Sequence, residues 1–325
     1  MASWSSAVRL ITRSAATPLE RCVGNAAKPR EAAVFGEVRE RLFEAYAQRT
    51  PSFVRAVDLL TAKGGRIHND HMALRSFVDS QGRSGLEFFE SIFTHFGYAA
   101  QDSLVIPGLC VNARWYEPPE ETNWPKVFVS EMRIKELPQE AADILFRHVD
   151  GFYDASRARD ALQNGAAAVA DLLETPPWKP TLKEEQTLRA LSAADPGLGN
   201  AVEYAAWTLT HGHRVNHVTI LLNTLGIDGV NTLADLNALL QAEGFEFNPA
   251  GGADGWSQGS RAVHLEQSST LADLVPHTFG CGSRAEVPCS FLELIQRHEG
   301  FRGFLGQNAK GIFASTNARP SQPVA

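Results

Sequence analysis

No stretch of this chain approaches the run of about eighteen apolar residues that a membrane-spanning helix requires, so a helical span is set aside. Cysteine is scarce. Cys22, Cys110, Cys281 and Cys289 are the full set, and no two stand in a CxxC spacing. That argues against a disulfide framework and for a reducing compartment. A basic surplus is missing too: the formal charge is −7, which leaves no electrostatic footprint for nucleic acid. What is present is ordinary globular composition, 44% hydrophobic and 21% charged, in a 325-residue chain long enough to bury a large core.

The charge is unevenly spread. Residues 1–30 carry Arg9, Arg13, Arg21, Lys28 and Arg30 against Glu20 alone, a balance of +4 that leaves −11 on the remainder. This acid-poor, Ser- and Ala-rich leader lacks a long apolar centre and reads as an organelle transit peptide, for a plastid or a mitochondrion, rather than a secretory signal. The Pro-, Ser- and Ala-rich stretch 316–325 reads as a disordered tail. Between them, 31–315 reads as a single catalytic domain.

Within that domain Val34, Val38, Leu42 and Tyr46 recur at four-residue steps, the stripe of an amphipathic helix, and a second short helix follows Pro51. Gly64 and Gly65 end it. Strand-like residues 67–75 come next, then a helix with Phe88, Ile92, Phe93 and Phe96 on its apolar face. Strands follow over 99–106, 109–116 and 127–134. The order is βαβββ, spanning about 66–135. A helical insert fills about 136–210, with Trp178 in a rigid PPWKP elbow. A second βαβββ unit occupies about 211–300: a strand at 215–221, a helix carrying Leu233, Leu236, Leu239 and Leu240, then strands near 245–247, 261–267, 278–280 and 286–296. Paired βαβββ units define an α+β fold of the vicinal oxygen chelate type, in which a cupped mixed sheet surrounds one metal.

Each unit's first strand carries a histidine: His71 in HNDHMALRSF and His217 in HGHRVNHVTI. Glu293 lies on the last strand of the second unit, in CSFLELIQR. Two imidazoles and one carboxylate are the ligand set of non-haem Fe(II) oxygenases, which leaves coordination positions for substrate and O2. The residue types alone do not separate Fe from Mn or Zn. Strand alternation places His71, Ala73 and Arg75 on one face and Asp70, Met72 and Leu74 on the other. Arg75, roughly 13 Å along the strand from His71, would clamp a carboxylate of a short diacid held at the metal. Competing residues are His68 on the opposite parity, His211 in a turn, His213 further along the second strand, and Glu131, read as the counterpart of Glu293. His264 and Glu266 are candidates to line the cavity.

HNDHMALR, RVNHVTI and PCSFLELIQR, in this order and spacing, resemble the 2-oxoadipate dioxygenase/decarboxylase (hydroxyglutarate synthase) family over about residues 35–315. FLELIQR also resembles the ending of 4-hydroxyphenylpyruvate dioxygenase, whose glutamate binds iron. The resemblance implies an Fe(II)-dependent oxidoreductase that takes 2-oxoadipate and O2 to (R)-2-hydroxyglutarate and CO2 in lysine degradation. It places metal ligation, and with it substrate chelation, on His71, His217 and Glu293. It gives Arg75 the part of substrate-binding catalytic residue. The implied partners are a 2-oxo dicarboxylic acid and O2, with no nucleic acid and no membrane; homodimerisation is left open. The rival readings are another vicinal oxygen chelate metalloenzyme, extradiol or glyoxalase-type, and a non-catalytic binding protein of the same fold.

Overall fold

A computed structural model describes residues 29–316, apart from 107, 121, 196 and 250–253, together with 322–323. The leader expected over 1–30 lies outside the described residues except for 29 and 30, which open the first helix. Among the described residues no helix is long and apolar enough to cross a membrane.

Helices α1 (Pro29–Arg49) and α2 (Pro51–Ala62) precede the sheet, and Pro51 opens α2 where its missing N–H costs no bond. Val38, Leu42 and Tyr46 of the α1 stripe are buried, and Phe35 beside them packs its ring 4.6 Å from Trp124 and 5.0 Å from Phe96. The first unit then runs β1 (Asn69–Val78), α3 (Gly85–His95), β2 (Ala99–Ile106), β3 (Val111–Glu117) and β4 (Lys126–Arg133). Five helices follow: α4 (Gln139–Val149), α5 (Ala155–Asn164), α6 (Ala166–Glu174), α7 (Leu182–Ala194) and α8 (Gly199–His211). The second unit has β5 (His217–Leu221), α9 (Leu233–Ala242), β6 (Gln258–Ser260), β7 (Leu265–Ser269) and, after a hairpin of β8 (Leu274–Thr278) and β9 (Arg284–Pro288), β10 (Phe291–Arg297). Helix α10 (Gly306–Ile312) and a 3-10 turn (Phe313–Thr316) close the described core. Gln322–Pro323, placed in a disordered tail by composition, form a short edge strand β11 against β9.

One eight-stranded mixed sheet takes the order β2-β3-β4-β1-β5-β10-β7-β6. In each unit the first strand runs parallel to the last, β1 with β4 and β5 with β10, and the two first strands meet antiparallel at the centre. The halves therefore exchange by a local two-fold, which is the expected paired βαβββ arrangement. That symmetry brings the two histidine strands side by side.

Four boundaries in the second unit differ from the sequence reading, one being the strand expected near 278–280, which is β8 and ends at Thr278. Phe245 and Phe247 alternate because both rings enter the core, and only an isolated bridge joins Phe247 to Thr270; the second strand of the unit is β6, further on. Residues 261–263 form a 3-10 turn ending at His264 with φ of 60°, so β7 starts at Leu265. The run expected over 286–296 is two strands, because Pro288 has no N–H to extend a ladder and the chain passes there from the small β8-β9-β11 sheet to the large one.

Candidate metal centre

The pairing of β1 with β5 skips one residue between Asn69 and Met72, a bulge that falls on Asp70 and His71. Bulges re-aim side chains, and here Asp70 comes to lie beside His71 instead of on the opposite face, as plain alternation has it. Asp70 Oδ1 is 2.8 Å from His71 Nδ1. His217 opens β5, and Asn216 just before it places Oδ1 3.0 Å from His217 Nδ1. Each imidazole is thus held at Nδ1 by the residue that precedes it, with Nε2 turned inward. Glu293 enters from β10, one strand over, opposite Thr219. Its Oε2 lies 2.9 Å from His217 Nε2 and 3.3 Å from His71 Nε2. One ligand atom from each of the three lies within 4.8 Å of the others, and all three residues are buried.

Two further side chains tune the carboxylate. Gln267 Nε2 donates to Glu293 Oε1 at 2.5 Å, and Thr219 Oγ1 lies 3.1 Å from both Glu293 Oε2 and His71 Nε2. With Oε1 engaged by an amide, Oε2 is the oxygen turned to the centre. Burial works against the Glu293 charge, yet His71 and His217 hold the group well below the usual carboxylate range. Burial likewise opposes the His71 charge, but Glu293 and Asp70 raise its pKa; at His217 burial prevails and the pKa falls. A divalent cation fits this set: two nitrogens aimed by hydrogen bonds at their far side, and one carboxylate, match the two-histidine, one-carboxylate donor pattern.

Arg75 shares the His71 face and is 1% exposed. Its guanidinium sits in an aromatic box, 4.8 Å from the ring centres of Tyr204 and Trp207 and 5.0 Å from that of Phe313. Nη2 donates to Thr316 Oγ1 at 3.4 Å, while Nε and Nη1 have no partner among the described residues. Burying two donors of a cation without acceptors is costly, and the pattern suits an incoming carboxylate. Helix α8, buried along nearly its whole length, supplies Tyr204 and Trp207. The sequence reading assigned that helix no part in the site; the hint was its WTLTH end, too aromatic and too buried for a spacer. Phe304, in the segment after β10, covers the metal end: its ring lies 4.8 Å from that of His71, 5.0 Å from Phe128 and 5.6 Å from Trp115.

The competing residues lie elsewhere. His68 precedes β1 and is not in the cluster. His213 stands before β5, buried under Phe152 with Nε2 2.9 Å from Tyr153 Oη. His211 ends α8 with Nε2 2.8 Å from the Pro288 carbonyl. His264 and Glu266 do not line the cup: His264 is 3.5 Å from Glu299, and Glu266 takes the His298 ring at 2.7 Å. Glu131 is not the counterpart of Glu293. Thr219, two residues after His217, faces Glu293, and Ala73, two after His71, faces Phe128. Glu131 instead accepts from Ser84 Oγ at 2.5 Å and the Leu86 N–H at 3.2 Å, an anion at the start of α3.

The family model for 2-oxoadipate dioxygenase/decarboxylase matches residues 37–301, most of the chain. A chloroplastic 2-oxoadipate dioxygenase/decarboxylase of Arabidopsis thaliana is 28% identical over 287 residues, 84% of this chain and 71% of that protein. A chloroplastic/amyloplastic one of Oryza sativa subsp. japonica is 29% identical over 311 residues, 87% and 79% of the two. The crystal structure of a hydroxyglutarate synthase from Oryza sativa in complex with 2-oxoadipate superposes with a TM-score of 0.75 at 26% identity, covering 94% of this chain and 98% of that one. A glyoxalase-superfamily protein from Ralstonia eutropha shares the fold, with a TM-score of 0.67 at 20% identity over 94% and 98%. The chain belongs to the 2-oxoadipate dioxygenase/decarboxylase family.

Proposed function

We propose that the protein is an Fe(II)-dependent dioxygenase/decarboxylase that converts 2-oxoadipate and O2 to (R)-2-hydroxyglutarate and CO2, in lysine breakdown within a plastid. The observation that carries this reading is the placement on one strand face of a ligand histidine and, four residues on, a buried arginine with two unengaged donors. The relatives named for this reaction, one of them bound to 2-oxoadipate, support the substrate class, and their chloroplastic names together with the basic leader support the plastid.

Iron, when bound, would supply a Lewis acid for a 2-oxo acid and a redox centre for O2. His71, His217 and Glu293 would hold it, with Asp70, Asn216 and Gln267 fixing their orientation. Arg75 takes the distal carboxylate, and the fixed span along β1 between it and His71 measures the diacid. Ala73, directly between them, keeps the floor low for an alkyl chain. Phe128, Trp115 and Phe304 exclude water at the metal end. The atoms balance: the substrate loses its carboxyl carbon as CO2, and the two oxygens of O2 enter the products. An extradiol pocket has no use for a buried guanidinium, which disfavours that rival.

The test is O2 uptake by protein reconstituted anaerobically with Fe(II), followed with 2-oxoadipate. Uptake matched by CO2 and (R)-2-hydroxyglutarate, and abolished in His217→Ala, is the expected result. An iron-loaded protein that takes up no O2 with this substrate overturns the assignment, and activity with Mn(II) or Zn(II) in place of Fe(II) overturns the metal.

A further inference from the structure

The site has an arginine at each end, and the two are in opposite states. Arg75 lies four residues beyond the ligand His71 on β1, and Arg297 four residues beyond the ligand Glu293 on β10, which runs the other way. Arg75 has two donors without acceptors. Arg297 has its donors engaged. Its Nε and Nη2 grip Asp70 Oδ2 and Oδ1 at 2.7 and 2.8 Å, and its Nη1 donates to the Gly303 carbonyl at 2.7 Å and the Phe301 carbonyl at 3.4 Å. Its guanidinium also stacks 5.1 Å from the centre of the Phe304 ring. A carboxylate held bidentately by a guanidinium is ionised and can only accept. Asp70 Oδ1, shared by Arg297 and His71 Nδ1, therefore requires the proton of His71 to sit on Nδ1, which leaves the Nε2 lone pair for a metal.

We propose that Arg297 is a positioning residue that couples the metal centre to its cover: through Asp70 it fixes the His71 tautomer and ring direction, and through Gly303 and Phe301 it seats Phe304 over the same imidazole. The inference rests on the metal-centre reading. One strand, β10, thus carries both the carboxylate ligand and the clamp on the partner of a ligand two strands away. A displacement of β10 moves all three together. Removing an outer partner of a ligating histidine typically lowers metal affinity about 10- to 100-fold, and lysine, a point charge, cannot reproduce the fork.

The experiment titrates metal-free full-length protein with Co(II), reading affinity and the ligand-field spectrum, for wild type, Arg297→Met, Arg297→Lys, Asp70→Asn and the Asp70→Asn/Arg297→Met pair, with His217→Ala as the ligand control. Methionine keeps an apolar stem against Phe304, and thermal melts report folding. The expected result is a loss of affinity of about 10- to 100-fold in Arg297→Met with an altered Co(II) spectrum, a smaller loss in Arg297→Lys, and a double variant no worse than the poorer single one, since both act through one carboxylate. Should the methionine variant fail to fold, the lysine variant carries the comparison. A folded Arg297 variant with wild-type Co(II) affinity and spectrum, whatever its melting point, overturns the proposal. Wild-type protein that binds no Co(II) overturns the metal-centre reading and this inference with it, whereas binding lost in His217→Ala but kept in the Arg297 variants overturns this inference alone.

Discussion

Arg75 and Glu203 share one hydroxyl: Thr316 Oγ1 accepts from Arg75 Nη2 at 3.4 Å and lies 3.1 Å from Glu203 Oε2 as a donor to it. Both charged groups are buried, and each keeps an atom without a partner among the described residues, Glu203 at Oε1. The resident carboxyl is held one hydroxyl away from the guanidinium, which leaves two of the guanidinium's donors, Nε and Nη1, without an acceptor among the described residues. Burial, only partly offset by Arg75, pushes the Glu203 carboxyl above its ordinary range.

Under the proposed function, substrate binding is expected to depend on both members. Arg75→Ala is expected to raise KM for 2-oxoadipate far more than it lowers O2 uptake at saturation, by about 10- to 100-fold for a lost charge-assisted pair in a buried site. Glu203→Gln removes the competing carboxyl and is expected to lower KM, with a larger drop at pH 8 than at pH 6 because burial raises the pKa of the native carboxyl. Steady-state kinetics at the two pH values check both. A KM unchanged in Arg75→Ala would detach the arginine from the substrate.

Metal binding should register as stability, because the cluster of His71, His217 and Glu293 exists only in the folded chain. A divalent ion at a hundredfold excess over its Kd adds about 2.7 kcal/mol. For a chain of this size that raises the melting temperature by several degrees. Chelator should reverse the rise, and Glu293→Gln should show none of it. Calorimetry with and without Zn(II) makes the comparison.

Gly212, which turns the chain from α8 toward β5, has φ of 67°, and a Cβ on it would sit 2.7 Å from Pro177 Cδ and 2.9 Å from Pro176 Cα. Gly212→Ala is expected to cost at least 1 kcal/mol through the left-handed backbone alone. It would also push apart the PPWKP elbow and the strand that begins with His217. Urea denaturation reads the first effect and Co(II) affinity the second.

The strands that carry the candidate site were legible because half-buried strands alternate and because the same βαβββ order recurs, so the cluster of His71, His217 and Glu293, and Arg75 on the His71 strand, could be proposed from residue type and parity. Their helpers were not. Asp70 stands beside His71 only because a bulge breaks the alternation, and Arg297 meets Asp70 across 227 positions of sequence. Tyr204 and Trp207 come from a helix in the insert, and Thr316 from a stretch whose composition reads as tail. Phe245 and Phe247 imitated a strand because two core rings spaced by one residue have the same pattern as a pleat. Local periodicity reports which face is buried; it does not report what covers it.

His213 supplies a pH test independent of the metal. Its ring is fully buried, 4.8 Å from the centre of Phe152 and 5.0 Å from that of Trp178, with Nε2 bound to Tyr153 Oη and Nδ1 unpartnered. Burial lowers its pKa from 6.5 to about 3. Above pH 6.5 the folded and unfolded chains both carry a neutral imidazole, and the group adds no slope. Between 6.5 and about 3 the unfolded chain binds a proton that the folded one refuses, so stability is lost as pH falls, by about 1.4 kcal/mol per unit. His213→Phe keeps an apolar ring in the box but removes the Tyr153 bond, at a cost of about 1 kcal/mol at pH 7.5. Urea denaturation at pH 7.5 and 5.5 should show the wild type losing about 1.4 kcal/mol more over that interval than the variant; equal losses would mean that the His213 ring takes up its proton inside the folded protein.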